Sequence, residues 1–140
     1  MAENHEFAAE LLDEIQDCED EDRYRSLRDQ LYGLGASIVE ILRGELTSKY
    51  HRRRMAAATN LGRLRDSKSV AELATLLNDP QPGVREMALF ALGIIKDPNA
   101  TEAILASLND YDADVRYRAV VALGDLDYAH LEDVLIRAMG

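Results

Sequence analysis

The stretch PGVREMALFALGIIKDPNATEAILASLNDYD, residues 82–112, decides the fold because the chain repeats it imperfectly on both sides. One copy occupies residues 51–81 and another occupies residues 113–140. A shift of 31 residues aligns an Arg, an Ala, a Leu and a Gly in all three copies. They are Arg54, Arg85 and Arg116; Ala57, Ala88 and Ala119; Leu61, Leu92 and Leu123; and Gly62, Gly93 and Gly124. A repeat of this length predicts a solenoid, in which each unit buries its apolar face against the next.

Each repeat contains two helical patterns separated by a short turn. In the central repeat, Pro82 suits the first turn of a helix, where its missing N–H is not needed. A core stripe at helical spacing follows, made of Val84, Ala88, Leu92 and Ile95. Asp97 and Pro98 then predict the N-cap and first residue of a second helix. The sequence therefore predicts an all-α fold, a short right-handed α-solenoid of about four antiparallel helix pairs.

Two finer expectations concern the turns. Ser69 and Glu72 have the spacing of a capping box, which predicts that the Ser69 hydroxyl caps the second helix of its repeat. The shared glycine falls in the last turn of each first helix. Either a side chain has no room there or the helix unwinds locally.

Residues 1–22 are expected to form an extra N-terminal helix and a linker, ahead of a repeat domain at residues 23–140. The helix has one apolar face, formed by Phe7, Ala8, Leu11, Leu12 and Ile15. Residues 17–22 hold five acids and predict a solvated turn. Residues 23–50 look like a degenerate first repeat, broken between Gly33 and Gly35. We expect this repeat and the acidic helix to cap the array.

The charge is striped along the chain, which has a net charge of -10. Residues 1–22 contribute ten acids and no base, residues 23–65 ten bases against three acids, and residues 66–140 six bases against thirteen acids. No stretch approaches the roughly 18 apolar residues of a membrane span, and no signal peptide is visible. With Cys18 as the single cysteine, these features favour a reducing cytoplasm.

The repeats resemble HEAT repeats, and more narrowly the HEAT-like repeats of phycobilisome (phycocyanobilin) lyases. The resemblance rests on Asp79, Val84, Arg85, Ala88, Ala91, Leu92, Gly93 and Ile95, and on Asp110, Val115, Arg116, Ala119, Ala122, Leu123, Gly124 and Leu126. It implies a non-enzymatic scaffold or adaptor that binds a protein whose identity the sequence does not give. The alternative it implies is an accessory factor that attaches bilins to phycobiliproteins or detaches them.

Two sets of arginines invite a functional interpretation. The recurrent Arg54, Arg85 and Arg116 form either an anion-binding ladder or structural pairs; the resemblance favours pairs with Asp79 and Asp110 and bonds to turn carbonyls. The basic run 49–54, with Arg63 and Arg65 nearby, suggests phosphate binding, but the acidic total argues against nucleic acid. The structural alternative places acids of the N-terminal helix, or of a partner, beside this run.

An apolar surplus on the first helices predicts a protein-contact site. Beside the core stripe, Met87, Phe90 and Ile94 follow helical spacing, and Tyr117 and Val121 occupy comparable places in the next repeat. Burial by neighbouring helices is the alternative. The same stripe leaves a twofold homodimer open. The second helices are expected to form a concave face whose exposed candidates are Glu72, Leu76, Ala103, Ser107, Val134 and Arg137.

The sequence offers no catalytic residues and predicts neither a metal nor a cofactor. His5, His51 and His130 lie in different units, so no pair has metal-ligand spacing. Cys18 lies among acids, which disfavour a reactive thiolate. Gly33 and Gly35 lack the remaining glycines of a phosphate-binding loop.

Overall fold

The computed structural model describes residues 2–126, 132, 135–137 and 139, and all regular structure within them is helical. The α-helices are α1 (Ala2–Gln16), α2 (Glu21–Tyr32), α3 (Val39–Glu45), α4 (His51–Arg63), α5 (Val70–Thr75), α6 (Pro82–Ile95), α7 (Thr101–Ala106) and α8 (Ala113–Gly124). Short 3₁₀ turns adjoin the shorter helices, at Gly35–Ile38, Ser67–Ser69, Leu76–Asn78, Pro98–Ala100 and Ser107–Asn109. The predicted all-α solenoid is confirmed.

The helices follow the repeat pattern in pairs, α2 with α3, α4 with α5 and α6 with α7. The first helices stack in order, α4 on α6 and α6 on α8. The core lies between the two rows of helices, and the shared Ala57, Ala88 and Ala119 are fully buried in it. Helix α8 opens the last repeat, and most of the residues that follow it lie outside the described part of the chain. No helix in the described part of the chain is both long and apolar enough to cross a membrane.

Neighbouring first helices approach so closely at Gly62 and Gly93 that no space remains for a side chain there. A Cβ built on Gly62 would lie 2.5 Å from the Cα of Ala91, and one built on Gly93 would lie 3.0 Å from the Cα of Ala122. Both glycines are inside regular helices. At these two positions the glycine is therefore required by close helix approach, and the alternative of local unwinding is wrong.

The predicted caps are partly right. Pro82 begins α6 as expected. Asp97 accepts a hydrogen bond from the N–H of Asn99 at 2.9 Å, but it caps the 3₁₀ turn Pro98–Ala100 rather than α7, which begins at Thr101. The capping box at Ser69 is wrong, because the chain enters α5 through a 3₁₀ turn. Ser69 already has a helical backbone, makes no cap bond, and donates its hydroxyl to the carboxylate of Asp66 instead.

The acidic N-terminal helix packs on the array. Four residues of its predicted apolar face, Ala8, Leu11, Leu12 and Ile15, are buried, whereas Phe7 is 41% exposed, and α1 contacts α2 and α4. The linker is shorter than predicted, since α2 begins at Glu21. Asp20 caps that helix by accepting the N–H of Arg23 at 2.7 Å. Negative charges are unfavourable at a helix C-terminus, but Asp20, Glu21 and Asp22 lie at the N-terminus of α2, where they stabilise the helix.

The recurrent arginines have the predicted structural role. Arg54 donates Nε and Nη2 to the carboxylate of Asp79 at 2.8 and 3.0 Å. Arg85 repeats this with Asp110 at 2.9 Å for both bonds. Each arginine also donates Nη1 to the carbonyl six residues earlier, as does Arg116 to the carbonyl of Asp110. These bidentate pairs fix the turn between successive repeats.

Candidate protein-interaction surfaces

A groove of about 440 Å³ crosses the first helices of the repeats. Four helices line it: α2, α4, α6 and α8. The lining residues are Glu21, Tyr24, Arg25, Arg28, Met55, Thr59, Arg63, Glu86, Met87, Phe90 and Arg118. Tyr24 and Thr59 are buried, whereas Met55, Met87 and Phe90 are half-buried. The groove thus has a floor of aromatic, methionine and threonine side chains and a rim of arginines and glutamates.

The lining positions recur with the repeat. Steps of 31 residues lead from Tyr24 to Met55 and Glu86, and from Arg28 to Thr59 and Phe90. Two rows of equivalent positions therefore form the groove. This regularity is the signal that could have identified Tyr24 and Met55, which the apolar pattern of the central repeat does not include.

Two guanidinium groups stack over Tyr24 at the α2 end of the groove. The Arg52 guanidinium lies 4.7 Å from the ring centroid and that of Arg28 lies 5.9 Å from it. Burial raises the pKa of Tyr24 to about 12, against the opposing effect of the two arginines. The buried phenol has no hydrogen-bond partner among the described residues. This ring is a fixed, neutral part of the groove floor.

The rim is a set of shared ion pairs. Asp29 accepts from both Arg28, at 3.1 Å, and Arg63, at 2.8 Å. Burial acts to raise the pKa of Asp29, but the hydrogen bonds from Arg63 and Arg28 outweigh it and lower that pKa. On the other side Arg118 pairs with Glu86 at 3.3 Å, and its guanidinium lies 5.5 Å from the Phe90 ring centroid. At the α2–α4 rim Arg28 and Arg63 thus share the carboxylate of Asp29, whereas Glu21 pairs with Arg52 and Asp22 lies 3.7 Å from Arg25.

The predicted apolar stripe divides into two surfaces. Met87 and Phe90 lie in the groove, half-buried. Ile94 is half-buried in a smaller pocket of about 110 Å³ between α6 and α8, which Val121 also lines. Tyr117 is 66% exposed and Val121 is 37% exposed on α8. Phe90 lines this smaller pocket as well, so the two surfaces adjoin there, and the stripe is not fully buried.

The predicted concave face is partly occluded. Leu76 is 8% exposed and Ser107 is 7% exposed, so the expectation that they are accessible is wrong. Each follows a buried residue of the preceding helix, Leu73 or Ile104, by three positions, so helical spacing places it on the buried side. Ser107 donates its hydroxyl to the carbonyl of Ala103 at 3.3 Å.

The remaining concave candidates differ in accessibility. Glu72 and Arg137 are exposed, and Ala103 is half-buried. Val134 lies outside the described residues. A shallow groove of about 230 Å³ runs between α5 and α7, and fully exposed Tyr111 stands among its lining residues.

The basic run at the start of α4 is paired within the chain. Arg52 bonds to Glu21 of α2, and Arg53 lies 3.2 Å from Glu45 of α3. Arg53 also donates to the amide oxygen of Gln16 in α1 at 2.9 Å and lies 3.8 Å from Asp13. The structural alternative, acids of the N-terminal helix beside this run, is confirmed for Arg53.

The residues considered for chemistry lie apart. His5 contacts the carbonyl of Ser37 at 3.1 Å, and the thiol of Cys18 donates to the carbonyl of Asp20 at 3.4 Å. His51 is exposed at the start of α4, and His130 lies outside the described residues. Within the described part of the chain, no group of three or more His, Cys, Asp or Glu residues could hold a metal ion.

Comparison with known proteins gives one family. A family model described as HEAT repeats matches residues 36–124, a span that includes α3 to α8 and well over half of the chain. No curated protein matches the chain.

Proposed function

Because the chain belongs to the HEAT repeat family, we propose that it is a non-enzymatic scaffold that binds another protein through the groove across its first helices. HEAT repeats commonly serve as protein-interaction scaffolds. The observation that carries the proposal is the composition of this groove. Aromatic, methionine and arginine side chains are the types enriched at the centres of protein interfaces, and the groove presents all three.

The arrangement also favours a partner of particular shape and charge. The half-buried Met55, Met87 and Phe90 offer apolar surface that a ridge of a partner can cover. Arg25 is 60% exposed in its side chain and lies 3.7 Å from the exposed carboxylate of Asp22, and Arg28 and Arg63 share one carboxylate. A helix with an apolar stripe flanked by carboxylates complements these features.

Site-specific photocrosslinking tests the proposal. Benzoylphenylalanine replaces Phe90 in one variant and Thr75, an exposed residue of α5, in a matched control. In cells of the native host, irradiation of the Phe90 variant should give a discrete heavier adduct, and the Thr75 variant should give none. The partner in that adduct is then purified and titrated against wild type, Phe90→Glu and Thr75→Glu.

The outcomes separate the alternatives. Loss of binding of at least about tenfold in Phe90→Glu alone, with helicity retained, supports the groove as the site. An adduct of twice the chain's own mass would show that the groove contacts a second copy rather than a different protein. Equal affinity of Phe90→Glu and wild type would exclude the groove.

The bilin-accessory alternative stays a prediction from the resemblance alone. It is tested by adding a bilin to the purified chain: a red-shifted absorbance that co-elutes with the protein would support it, and an unchanged spectrum would oppose it. In the scaffold proposal, the absence of enzymatic activity and the cytoplasmic location likewise stay predictions.

A further inference from the structure

We propose that the groove between α5 and α7 binds the main chain of an extended protein segment that carries lysine or arginine side chains. This groove, called the amide groove below, has a volume of about 230 Å³ and lies between two inner repeats. Among the described residues, it shares no lining residue with the groove across the first helices. The inference is therefore independent of the partner site proposed above.

Two asparagine amides line the amide groove from the same position of successive repeats. Asn78 ends the 3₁₀ turn that follows α5, and Asn109, 31 residues later, ends the turn that follows α7. Both residues are exposed, and within the described part of the chain neither side-chain amide makes a hydrogen bond. A side-chain amide carries the same kinds of donor and acceptor as a peptide bond. Each asparagine can therefore pair with an N–H and a C=O of a bound main chain.

The shape of the amide groove favours an extended segment over a helix. Ala74 of α5 and Ala103 and Ala106 of α7 line it. Because these side chains end at Cβ, a partner backbone can approach the amides closely. A helix pairs most of its own N–H and C=O groups internally, whereas an extended segment leaves those groups free to bind. The two amides can thus be used by an extended main chain but not by the middle of a helix.

The charge around the amide groove selects a basic segment. Residues 66–112, which include both walls of the groove, contain eight acids and three bases. One of those bases, Arg85, is already held by the carboxylate of Asp110. Glu102 lies one helical turn before Ala106 on α7, is exposed, and forms no ion pair among the described residues. A lysine or arginine of the bound segment would supply the missing partner of Glu102.

An aromatic ring adds to this preference for cations. Tyr111 lines the amide groove, and its side chain is fully exposed. Both of its chain neighbours, Asp110 and Asp112, are acids. An exposed ring face beside carboxylates attracts an ammonium or guanidinium group. The groove therefore combines main-chain partners with two features that favour a positive side chain.

Fluorescence anisotropy with a labelled, disordered peptide of alternating serine and lysine tests the recognition of the main chain. At physiological salt the full chain should bind this peptide saturably, with a dissociation constant below about 200 μM. The same peptide with an N-methylated backbone keeps its charges and side chains but loses its N–H donors, so it should bind at least about tenfold more weakly. Weaker or non-saturable binding of the first peptide would overturn the proposal, and so would equal affinity for the two.

Asparagine variants locate the site on the chain. Asn78→Ala combined with Asn109→Ala should weaken binding of the unmethylated peptide at least about tenfold, because both main-chain partners are lost. Asn99→Ala is the matched control, since this exposed asparagine does not line the amide groove, and it should bind like wild type. Circular dichroism checks that the variants stay helical. Wild-type affinity in a helical double variant would overturn the proposal.

A carboxylate variant separates the site from the net charge of the chain. Glu102→Gln should weaken binding about threefold, as expected for one exposed ion pair. Glu10→Gln removes the same charge from the exposed face of α1 and should leave the affinity unchanged. An equal effect of both variants would show attraction to the acidic chain as a whole and would contradict the proposed site. Because the readout is binding of a defined peptide to the amide groove, its failure leaves the groove across the first helices and its partner unaffected.

Discussion

Gly62 of α4 lies against Ala91 of α6 so closely that a Cβ on the glycine would stand 2.5 Å from the alanine Cα. The same relationship joins Gly93 and Ala122 one repeat later. At the equivalent alanine position of α4, Asn60 is fully buried and donates to the carbonyl of Arg28 in α2 at 3.0 Å. The α4–α6 and α6–α8 interfaces are therefore formed by close backbone approach, whereas the degenerate first repeat contacts α4 through a hydrogen bond.

The close approach predicts that Gly62→Ala is destabilising. An added methyl must separate α4 from α6, which we expect to lower the free energy of unfolding by about 3 kcal/mol. Gly93→Ala, with 3.0 Å available, should cost less. Gly44→Ala in α3 is the matched control, since no described atom lies within 4 Å of its Cβ position. It should stabilise by about 0.5–1 kcal/mol through helix propensity. Urea denaturation measures all three, and a neutral Gly62→Ala would contradict the packing.

The sequence predicted the architecture well because the repeat encodes it directly. The helix pairs follow from residues that recur in register. The recurrence of Gly62 and Gly93 left open whether the glycine allows close approach or local unwinding, and the pairs Arg54–Asp79 and Arg85–Asp110 were implied by the resemblance. The glycine contacts and the Arg–Asp pairs join neighbouring repeats, so their recurrence in sequence and their geometry have one cause.

The candidate site was less predictable because exposure depends on what the next element covers. Helical spacing places Phe90 and Tyr117 on outward faces, but it does not say that α8 half-covers the first and that no described helix covers the second. Leu76 and Ser107 are buried because each follows a buried residue, Leu73 or Ile104, by three positions and so shares its face of the helix. Helix α1 does not belong to a repeat, so the 31-residue period does not predict which helices it contacts.

A buried hydroxyl gives the second prediction. Thr101 at the start of α7 is 0% exposed, and its Oγ1 has no hydrogen-bond partner among the described residues. The equivalent residue one repeat earlier is Val70. Replacing Thr101 by the isosteric Val removes an unsatisfied polar group, so we expect a gain of about 1 kcal/mol in unfolding free energy.

The reciprocal change is its control. Val70→Thr should cost about 1–3 kcal/mol, because it introduces the same unsatisfied group into the preceding repeat. Both values come from chemical denaturation of the full chain. Destabilisation by Thr101→Val would mean that the hydroxyl is hydrogen-bonded in solution.

The left-handed residue that follows α4 and α6 gives the third prediction. Arg65 and Lys96 occupy the same repeat position with φ of 55° and 61°. Arg65 gains a bond to the carbonyl of Ile94 at 3.1 Å, whereas Lys96 is exposed and only closes α6. Lys96→Gly should therefore raise the unfolding free energy by about 0.5–1 kcal/mol, since glycine adopts this conformation without strain.

Thermal denaturation measures this effect as a higher Tm. Lys96→Ala is the control that removes the charge but keeps the Cβ, and it should not reproduce the gain. Equal stabilisation by alanine and glycine would assign the effect to the charge rather than to the backbone.

The final prediction concerns pH and the pair formed by Arg43 of α3 and Asp66. Arg43 donates Nε and Nη2 to the carboxylate at 2.7 and 2.9 Å, and Ser69 adds a third hydrogen bond. The bond from Arg43 lowers the pKa of Asp66 against the opposing effect of burial. A carboxyl whose pKa is lower in the folded state stabilises the fold above its unfolded pKa of about 3.9, and that stabilisation is lost as the pH falls through the folded pKa. Asp66→Asn should thus cost about 2 kcal/mol at pH 7 and progressively less below about pH 4.

Glu10→Gln, on the exposed face of α1, controls for loss of a surface charge and should change stability by less than about 0.5 kcal/mol at pH 7. Urea denaturation from pH 7 down to pH 3 measures the difference between wild type and Asp66→Asn. A difference that stays constant over this range would show that the cost of Asp66→Asn does not arise from the ionised carboxylate.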